Sequence, residues 1–387
     1  MMYKLRKYQE DASRAAVEAF KDKRRKNGLL ILPTGAGKSL VIADIASKLD
    51  GPLLVFQPSK EILEQNFAKL QSYGIWDCSL YSASVGSKDI NRITFATIGS
   101  VMNHMDDFKH FKNIMVDECH FVNSKGGMYE EFIHAEPNRK VIGLTATPYR
   151  LCSNSWGSML KFLTRTRPRI FTDVIYYCQI HELLAQGFLA ELNYYDITNM
   201  DMTRVMSNST GADYDDKSLL QEYERSNFYE NLLSTIERLR NPKRGGKRKG
   251  ILVFTRYTKE AQMVCDSIPN CAIVTGETPK RERENLLNRF KAGEIEVIAN
   301  VGVLTTGFDY PELDTIVLAR PTKSLALYYQ MVGRAIRPSK DKIGWVVDMC
   351  GNYSRFGSVA DLRIECPVNS TKWMVTSKGR QLTNVFF

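Results

Sequence analysis

The sequence has no long apolar run and no export signal. None of its hydrophobic stretches approaches the roughly 20 residues that are needed to cross a bilayer. Its first residues, MMYKLRKYQEDASRAA, include basic side chains but lack the apolar stretch of a signal peptide. These absences argue against a membrane partner and predict a cytoplasmic protein.

The sequence also lacks closely spaced cysteines. Its eight cysteines are scattered, and no CxxC pair occurs. A zinc module needs clustered nitrogen and sulfur ligands, and a disulfide framework needs an oxidising compartment. The spacing therefore favours neither a zinc module nor a disulfide framework.

What the chain does contain is enough apolar material for two cores. A length of 387 residues, 43% of them hydrophobic and 25% charged, fits two globular domains of roughly 150 to 200 residues each. The net charge of +10 is concentrated in places: RLRNPKRGGKRK (238–249) carries seven basic side chains and no acid. Such a run fits a polyphosphate partner such as nucleic acid, and it fits a solvated loop equally well.

Short apolar runs alternate with helix-length segments, which indicates an α/β fold with mostly parallel, buried sheets. Two such series occur, so we expect two sheets of similar design. The runs of the first series are LLIL (29–32), LLVF (53–56), ITFA (93–96), IMV (114–116) and VIGL (141–144). Those of the second are ILVF (251–254), AIV (272–274), VIA (297–299), TIVLA (315–319) and WVV (345–347).

Strand runs are sparse between residues 150 and 250, where polar residues are common. Within this stretch, residues 217–240 have helical spacing of their apolar side chains, which predicts a helix. We place the domains at 1–178 and 179–365, followed by a tail at 366–387.

The segment LLILPTGAGKSLVIADIASKL reads as a strand, a glycine-bearing loop and a helix, the order of a phosphate-binding loop. Gly35 and Gly37 allow the backbone N–H groups to converge on phosphates, Lys38 reaches the β and γ oxygens, and Ser39 ligates Mg²⁺. The usual pattern has glycine at position 32, where this chain has leucine.

Residues 117–120 read DECH, which could form a metal site, a cysteine nucleophile with its histidine, or an acidic pair that acts on a phosphate. Because DECH follows the apolar run IMV, Asp117 is expected at the carboxyl end of a strand, where open α/β sheets hold ligands. With a phosphate loop in the same domain, we expect Asp117 to bind Mg²⁺ through water and Glu118 to orient or deprotonate the attacking water. Neighbouring strand residues point to opposite faces, which argues against a Cys119–His120 pair and leaves Cys119 a packing role.

Taken in order, the motifs resemble those of superfamily 2 helicases and translocases. PTGAGKS (33–39), DECH (117–120), TAT (145–147), TTGFD (305–309) and QMVGRAIR (330–337) resemble motifs I, II, III, V and VI. LRKYQ (5–9), QPSKEILEQN (57–66) and ILVFTR (251–256) resemble the Q motif and motifs Ia and IV. The resemblance implies two tandem RecA-like domains, each a mostly parallel sheet flanked by helices, with ATP in the cleft between them. It also accommodates the leucine at position 32.

Within the superfamily, LPTGAGKSLVIA, VDECH and VLTTGFDYPELD look most like RadD-type bacterial DNA-repair ATPases and their phage relatives. This likeness implies a bacterial or phage-infected host cytosol. RadD-like proteins continue into a cysteine-rich zinc segment, whereas only Cys366 follows Cys350 here.

The resemblance implies a role for each motif position in ATP hydrolysis. The ATP-binding residues are Arg6, Gln9, Pro33, Thr34, Gly35, Ala36, Gly37, Lys38, Ser39, Gly307 and Asp309, with Gln9 reading adenine. Ser39 and Asp117 hold Mg²⁺. The catalytic residues are Lys38, Asp117, Glu118, Gln330, Arg334 and Arg337. His120, Thr145 and Thr147 couple the site to the rest of the motor.

Arg337 resembles the direct arginine finger and Arg334 its partner. Their spacing of three places them on one helix face if SLALYYQMVGRAI is helical.

The resemblance further implies sequence-independent contacts with nucleic acid phosphates. The candidate residues are Pro58, Ser59, Lys60, Thr97, Thr255, Arg256, Thr305 and Thr306. We expect a monomer that acts on single-stranded or forked DNA, with a nuclease or replication factor as a candidate protein partner. Two alternatives stay open at this point: an RNA helicase, and a nucleotide-switched motor subunit that acts through a partner without unwinding.

Overall fold

Apolar runs of four to six residues form the buried strands of two parallel sheets. The structure, a computed structural model, describes residues 4–22, 24, 26–123, 126–154, 157–243, 246–305 and 307–386. The chain divides into two compact units. The first contains Met1–Arg150, Lys161–Gln179 and Arg363–Thr376, and the second contains Leu151–Leu160, Ile180–Leu362 and Ser377–Phe387. Because both units combine segments that are distant in the chain, the domain boundaries drawn from the sequence stay a prediction.

The strands are β1 (Gly28–Ile31), β2 (Leu53–Phe56), β3 (Cys78–Ser82), β4 (Ser87–Lys88), β5 (Ile93–Ala96), β6 (Asn113–Val116), β7 (Lys140–Thr145), β8 (Tyr149–Asn154), β9 (Gly157–Phe162), β10 (Asp173–Tyr177), β11 (Glu191–Asp196), β12 (Ile251–Thr255), β13 (Cys271–Val274), β14 (Val297–Val301), β15 (Thr315–Ala319), β16 (Ile343–Asp348), β17 (Leu362–Glu365), β18 (Met374–Ser377) and β19 (Arg380–Gln381).

The helices are α1 (Lys7–Lys21), α2 (Lys38–Lys48), α3 (Lys60–Gln71), α4 (Ile98–Met102), α5 (Met128–His134), α6 (Ile180–Ala185), α7 (Asp216–Arg225), α8 (Phe228–Arg240), α9 (Thr258–Ser267), α10 (Lys280–Lys291), α11 (Leu325–Val332) and α12 (Asn352–Phe356). Among the described helices, none is long and apolar enough to span a membrane.

The first unit is built on an eight-stranded sheet in the order β10-β1-β7-β6-β2-β5-β3-β4. Its strand pairs are parallel apart from the antiparallel pair β3 and β4. The central strands β1, β2 and β5 are buried along their whole length, as expected for strands covered on both faces. Because parallel strands end at the same edge, the loops after β1, β2, β5, β6 and β7 converge there.

The second unit has a six-stranded parallel sheet in the order β11-β16-β15-β12-β14-β13. Helices α7, α8 and α9 pack against it through a core that includes Leu219, Tyr223, Phe228, Leu232, Ile236, Ala261 and Val264. Two smaller sheets complete the described part of the chain: β8 with β9, and β17-β18-β19.

The α/β fold class and all ten predicted strand runs are confirmed. The structure adds strands that the sequence did not predict, of which β10 and β11 each form one edge of a sheet. β11 has the sequence ELNYYD and is largely exposed. Because β11 has solvent on one side, it carries polar residues and gives no continuous apolar run.

The helical spacing predicted over 217–240 is confirmed, with one break. The segment forms α7 and α8, separated at Ser226 and Asn227, where Asn227 adopts a left-handed backbone with φ 49°. The break places Phe228 flat against Tyr223, with ring centroids 4.1 Å apart and planes 7° apart. Asparagine tolerates this conformation, so the break costs little free energy. The apolar spacing on both sides of the break is preserved.

One pair of cysteines is bonded, a pairing that the scattered spacing did not predict. Cys265, near the end of α9, forms a disulfide with Cys271, the first residue of β13, with the Cα atoms 4.9 Å apart. The other six cysteines are free. The chain reverses between the helix and the strand, which brings residues only six positions apart together.

Glu260 is a buried acid in the first turn of α9. Glu260 is only 2% exposed. Oε2 accepts hydrogen bonds from the backbone N–H groups of Arg256 (2.8 Å) and Tyr257 (3.1 Å), whereas Oε1 is buried with no hydrogen-bond partner in the residues described. Burial raises the pKa of Glu260 to about 7, against an ordinary value of 4.5.

Since the folded state holds the proton more tightly than the unfolded state, Glu260 stabilises the fold most at acidic pH. This stability is lost as the pH rises from about 4.5 to about 7. Between roughly pH 5.5 and 8, the titration of Glu260 should lower the free energy of unfolding of the wild type by about 2 kcal/mol. We predict that Glu260→Gln lacks this part of the loss. Thermal or urea unfolding at the two pH values measures it. The exposed Glu277→Gln should leave the wild-type dependence intact, and an unaltered pH dependence in Glu260→Gln would contradict the prediction.

Candidate active site

The loop between β1 and α2 has the backbone shape of a phosphate-binding loop. Gly35 and Gly37 have φ angles of 83° and 77°, and Gly37 is the residue that precedes α2. A Cβ atom at Gly37 would lie 2.6 Å from Nε2 of Gln9, so no other side chain fits there without displacement. The loop thus leaves N–H groups at the start of α2 available to an anion. Lys38 and Ser39 are the first two residues of this helix.

Two side chains of α1 brace this loop. The hydroxyl of Tyr8 and Nε2 of Gln9 both donate to the carbonyl of Ala36, at 2.9 and 2.8 Å. Oε1 of Gln9 accepts from the backbone N–H of Arg6 at 2.9 Å. Gln9 is 3% exposed, and both ends of its amide are engaged by backbone groups. Its role as the adenine reader stays a prediction, and Tyr8 is a supporting residue that the sequence did not reveal.

Lys38 and Glu118 form an ion pair beside the loop. Nζ of Lys38 lies 3.0 Å from Oε1 of Glu118, and both side chains are largely buried. Nδ1 of His120 lies 3.3 Å from the other carboxylate oxygen. Glu118 has a left-handed backbone, with φ 47° and ψ 48°, a conformation that costs on the order of 1 kcal/mol or more outside glycine. Packing that holds this strained residue fixes where its carboxylate points.

Asp117 is held by two hydrogen bonds. Nδ2 of Asn66 donates to Oδ2 at 3.1 Å, and the backbone N–H of Glu118 donates to Oδ1 at 2.9 Å. Asn66 is 3% exposed on α3 and lies 51 residues before Asp117. The sequence did not single it out, although it ends the segment that resembles motif Ia. Asp117 and Ser39 are the residues that would hold Mg²⁺, since hard cations prefer oxygen ligands.

The two adjacent acids have opposite pKa shifts. Burial, followed by the negative charge of Glu118, raises the pKa of Asp117 to about 7. Burial also acts to raise the pKa of Glu118, but the ammonium of Lys38 and the hydrogen bond to His120 outweigh it and lower that pKa. Glu118 is therefore the ionised member of the pair, and a cation beside Asp117 would favour ionisation of both.

A chain of polar contacts leads away from Glu118. Nδ1 of His120 lies 3.0 Å from Oγ1 of Thr145, which accepts from the backbone N–H of Thr147 at 2.9 Å. These three predicted coupling residues are therefore brought together.

Cys119 is fully buried against β7, where a Cβ atom at Gly143 would come within 2.6 Å of its sulfur. Burial raises the pKa of the Cys119 thiol well above its ordinary value, so it stays neutral and packs. Strand alternation does not apply to Cys119 and His120, because β6 ends at Val116 and Cys119–Phe121 form a 3-10 turn. In the described residues, no group of three or more His, Cys, Asp or Glu side chains could hold a metal ion by itself.

Arg337 and Arg334 lie in different surroundings within the second unit. Arg337 forms an ion pair with Asp309, and within the described part of the chain its Nε is buried without a hydrogen-bond partner. Burial lowers the pKa of Arg337 to about 10, so the side chain stays positive at neutral pH. Arg334 donates to the backbone carbonyls of Thr305 (2.6 Å) and Phe308 (2.5 Å), which ties it to the loop that contains Gly307.

The condition for a shared helix face of the two arginines, a helical SLALYYQMVGRAI, is not met. α11 ends at Val332; Arg334 follows it in a turn and Arg337 in a bend, so their spacing does not follow helical geometry. Gln330 lies in the last turn of α11. Gly307 has φ 73°, a conformation suited to glycine.

The nucleic-acid candidates of the first unit surround one cavity. We name this cavity of about 630 Å³ the Pro58 pocket. All four candidates line it: Pro58, Ser59, Lys60 and Thr97. The pocket lies at the sheet edge where β2 and β5 end. Ser59 and Thr97 precede helices α3 and α4, and Lys60 donates from Nζ to the carbonyl of Ser84 at 2.5 Å.

The candidates of the second unit are less accessible. Thr255 is fully buried, and its hydroxyl donates to the carbonyl of Asn300 at 3.4 Å, so the structure does not offer it as a nucleic-acid contact. Arg256 is paired with Asp213 at 2.9 Å and with Asp216 at 2.8 Å. Thr305 is 9% exposed. Thr306 lies outside the described residues.

Two family models match the chain in tandem. Residues 2–150 match the model of the type III restriction enzyme res subunit, and residues 230–339 match the helicase conserved C-terminal domain. The first match contains the phosphate loop and DECH, and the second contains the loop of Gly307 and Arg334. The chain belongs to the superfamily 2 helicases.

Several known proteins are similar to this superfamily 2 helicase over most of its length. The DNA 3'-5' translocase XPB2 of Sulfurisphaera tokodaii is 27% identical, over 89% of this chain and 81% of its own. A 51.5 kDa protein of a Lactococcus phage is 24% identical, over 84% of this chain and 66% of its own. IRC3 of Saccharomyces cerevisiae is 27% identical over 90% of this chain. The chain spans about half of the length of IRC3, 51% of it.

Solved structures show the same fold. The ATP-dependent Type ISP restriction-modification enzyme LlaBIII, bound to DNA, matches 89% of this chain and 27% of that chain with a TM-score of 0.66 and 17% identity. S. cerevisiae Dbp5, bound to RNA and ADP BeF3, matches 89% of this chain and 83% of that chain with a TM-score of 0.59 and 17% identity. The two tandem RecA-like domains expected from the motifs are thereby confirmed. The narrower resemblance to RadD stays a prediction.

Asn66 gives this site a specific test. Its hydrogen bond acts to lower the pKa of Asp117 and fixes the orientation of the carboxylate. Without it, we expect Mg²⁺ to be held more weakly, because groups that orient a ligand typically contribute about 10- to 100-fold in metal affinity or activity. Asn66→Ala should therefore need more Mg²⁺ for half-maximal ATP hydrolysis. Asn288→Ala, at an exposed position of α10, is the matched control. An Mg²⁺ requirement equal to that of the wild type would contradict this role of Asn66.

Proposed function

We propose that this helicase is a nucleic-acid-stimulated ATPase that uses ATP hydrolysis to move along DNA. The observation that carries the proposal is the buried arrangement beside the phosphate loop. There, Lys38 holds Glu118 ionised while Asn66 orients Asp117. A phosphate-binding loop next to one ionised acid and one oriented acid supplies the parts needed for hydrolysis of a phosphoanhydride.

The ion pair between Lys38 and Glu118 indicates how the base becomes active. The ammonium of Lys38 lowers the pKa of Glu118, which makes this carboxylate a weak base while the pair persists. When Lys38 turns to a phosphate, that influence weakens and the pKa of Glu118 rises. Glu118 then accepts the proton of the water that attacks the γ-phosphorus, as the bond to the β-phosphate oxygen breaks and ADP leaves. Mg²⁺ held by Ser39 and Asp117 would neutralise charge on the phosphates.

Arg337 remains our choice for the arginine finger. It is positive at neutral pH, and its guanidinium can exchange Asp309 for a phosphate oxygen. Arg334 has a different role in this proposal, because its two backbone hydrogen bonds make it a support for the loop of Gly307.

DNA is the proposed substrate, in single-stranded or forked form. Hydroxyl and backbone groups around the Pro58 pocket fit phosphate contacts that carry no sequence information. The names of the relatives favour DNA, since XPB2 is described as a DNA translocase. We propose that the protein acts as a monomer, with a nuclease or replication factor as its protein partner.

Removal of either partner of the ion pair should abolish turnover. We expect Lys38→Ala and Glu118→Gln each to lower nucleic-acid-stimulated phosphate release by about 100-fold or more, because each removes a group that acts on the reacting phosphate. Lys7→Ala, an exposed lysine on α1, is the control. The assay compares single-stranded, duplex and forked DNA with RNA, and a strand-separation assay is run beside it.

The four substrates separate the proposal from its alternatives. Stimulation by DNA with strand separation supports a helicase, and stimulation without separation supports a translocase or switch. Stimulation by RNA alone would contradict the choice of DNA. Near-normal turnover in either variant would show that the catalytic residues lie elsewhere.

Lys60 should contribute one phosphate contact. Each neutralised phosphate of a single strand adds about 0.7 to the slope of log affinity against log salt concentration. We therefore expect Lys60→Ala to bind single-stranded DNA more weakly, with a slope about 0.7 smaller than that of the wild type. Fluorescence anisotropy at several salt concentrations measures the slope. Lys109→Ala, an exposed lysine that does not line the pocket, should keep the wild-type slope.

A further inference from the structure

The amide of Gln57 has no hydrogen-bond partner among the residues that the structure describes. Gln57 follows β2 and lines the Pro58 pocket. It is 1% exposed, yet neither Nε2 nor Oε1 makes a hydrogen bond. A buried amide without partners destabilises a protein, because its hydrogen bonds to water are lost and nothing replaces them. Such a group is retained at a cost, which is expected where a ligand supplies the missing hydrogen bonds.

A second residue of the pocket is exposed, although its apolar side chain favours burial. Phe121 also lines the Pro58 pocket and is 51% exposed. Its ring lies 4.2 Å from that of His120, measured between centroids, and is tilted by 41°. About half of Phe121 stays exposed beside this neighbour. The pocket therefore combines an unsatisfied amide with an exposed aromatic side chain.

We propose that the Pro58 pocket binds one unstacked base of the bound strand, with Phe121 against the face of the base and Gln57 on its polar edge. This inference rests on the proposed function and adds a base-binding site to the phosphate contacts of Ser59, Lys60 and Thr97. A volume of about 630 Å³ accommodates a base together with its sugar and phosphate.

The chemistry of a primary amide fits this ligand. Nε2 donates and Oε1 accepts side by side, and each of the four bases presents a donor next to an acceptor on its Watson–Crick edge. Gln57 can thus pair with any base after a rotation of its amide. A phosphate, by contrast, has only acceptors and would leave Oε1 unsatisfied. Stacking on an aromatic ring is likewise tolerant of base identity. The site requires a base without reading a sequence.

The test compares two single strands of equal length, one of thymidines and one of abasic residues. Both carry the same number of phosphates, so their ionic contributions match. Equilibrium affinities are measured by fluorescence anisotropy without ATP, which keeps the readout independent of hydrolysis. We expect the wild type to bind the thymidine strand about tenfold more tightly than the abasic strand.

Two variants and one control decide the outcome. Gln57→Met keeps the length of the side chain and removes its polar atoms, and Phe121→Ala removes the ring. Each should lower the thymidine-to-abasic ratio from about tenfold to about twofold, with the abasic affinity unchanged. Trp76→Ala, which removes a 72% exposed aromatic outside the pocket, should keep the wild-type ratio. The proposal is overturned if either pocket variant keeps the wild-type ratio.

Thermal unfolding distinguishes a binding amide from a structural one. Because the amide of Gln57 is unsatisfied, Gln57→Met should melt at or above the temperature of the wild type. A lower melting temperature would show that the amide supports the fold and would overturn its role as a ligand group. Absence of any strand binding by the wild type would instead contradict the proposed function itself.

Discussion

Two adjacent buried carboxylates impose the central constraint on this helicase. Asp117 and Glu118 lie at the end of a buried strand, where two negative charges cannot both persist without compensation. Lys38 and His120 compensate Glu118, and Asn66 with a backbone N–H group compensates Asp117. The compensating groups come from α2, α3 and the turn after β6. A site of this kind therefore requires the sheet and both helices to be in place before its charges are tolerated.

The parallel sheet of the first unit makes that convergence possible. Loops after β1, β6 and β7 carry the phosphate loop, DECH and Thr147, and loops after β2 and β5 carry Gln57 and Thr97. One edge of one sheet thus holds both the phosphate loop and the Pro58 pocket. Phe121 and His120 are adjacent in the chain; Phe121 lines the pocket and His120 contacts Glu118. A short physical route therefore joins the pocket to the carboxylate of Glu118.

In the second unit, arginines of the helicase motifs have structural partners. Arg256 and Arg334 are arginines in helicase motifs, yet their donors are taken by Asp213, Asp216 and backbone carbonyls. A buried guanidinium has five donors to satisfy, and a neighbouring loop is the nearest source of acceptors. Motif membership marks such residues as important without stating whether they touch a ligand or hold the loop that does.

The amino-acid sequence alone predicts the α/β class, ten strands of the two sheets, the phosphate loop and the acidic pair. Buried strands read as short apolar runs, and the loop chemistry is local. The partners of the site residues depend on tertiary packing, which places Asn66 on Asp117, Tyr8 and Gln9 on Ala36, and Asp309 on Arg337. It also decided that Thr255 is buried and that 217–240 forms two helices. Periodicity reports the face of an element, whereas pairing across tens of residues depends on packing that no local pattern encodes.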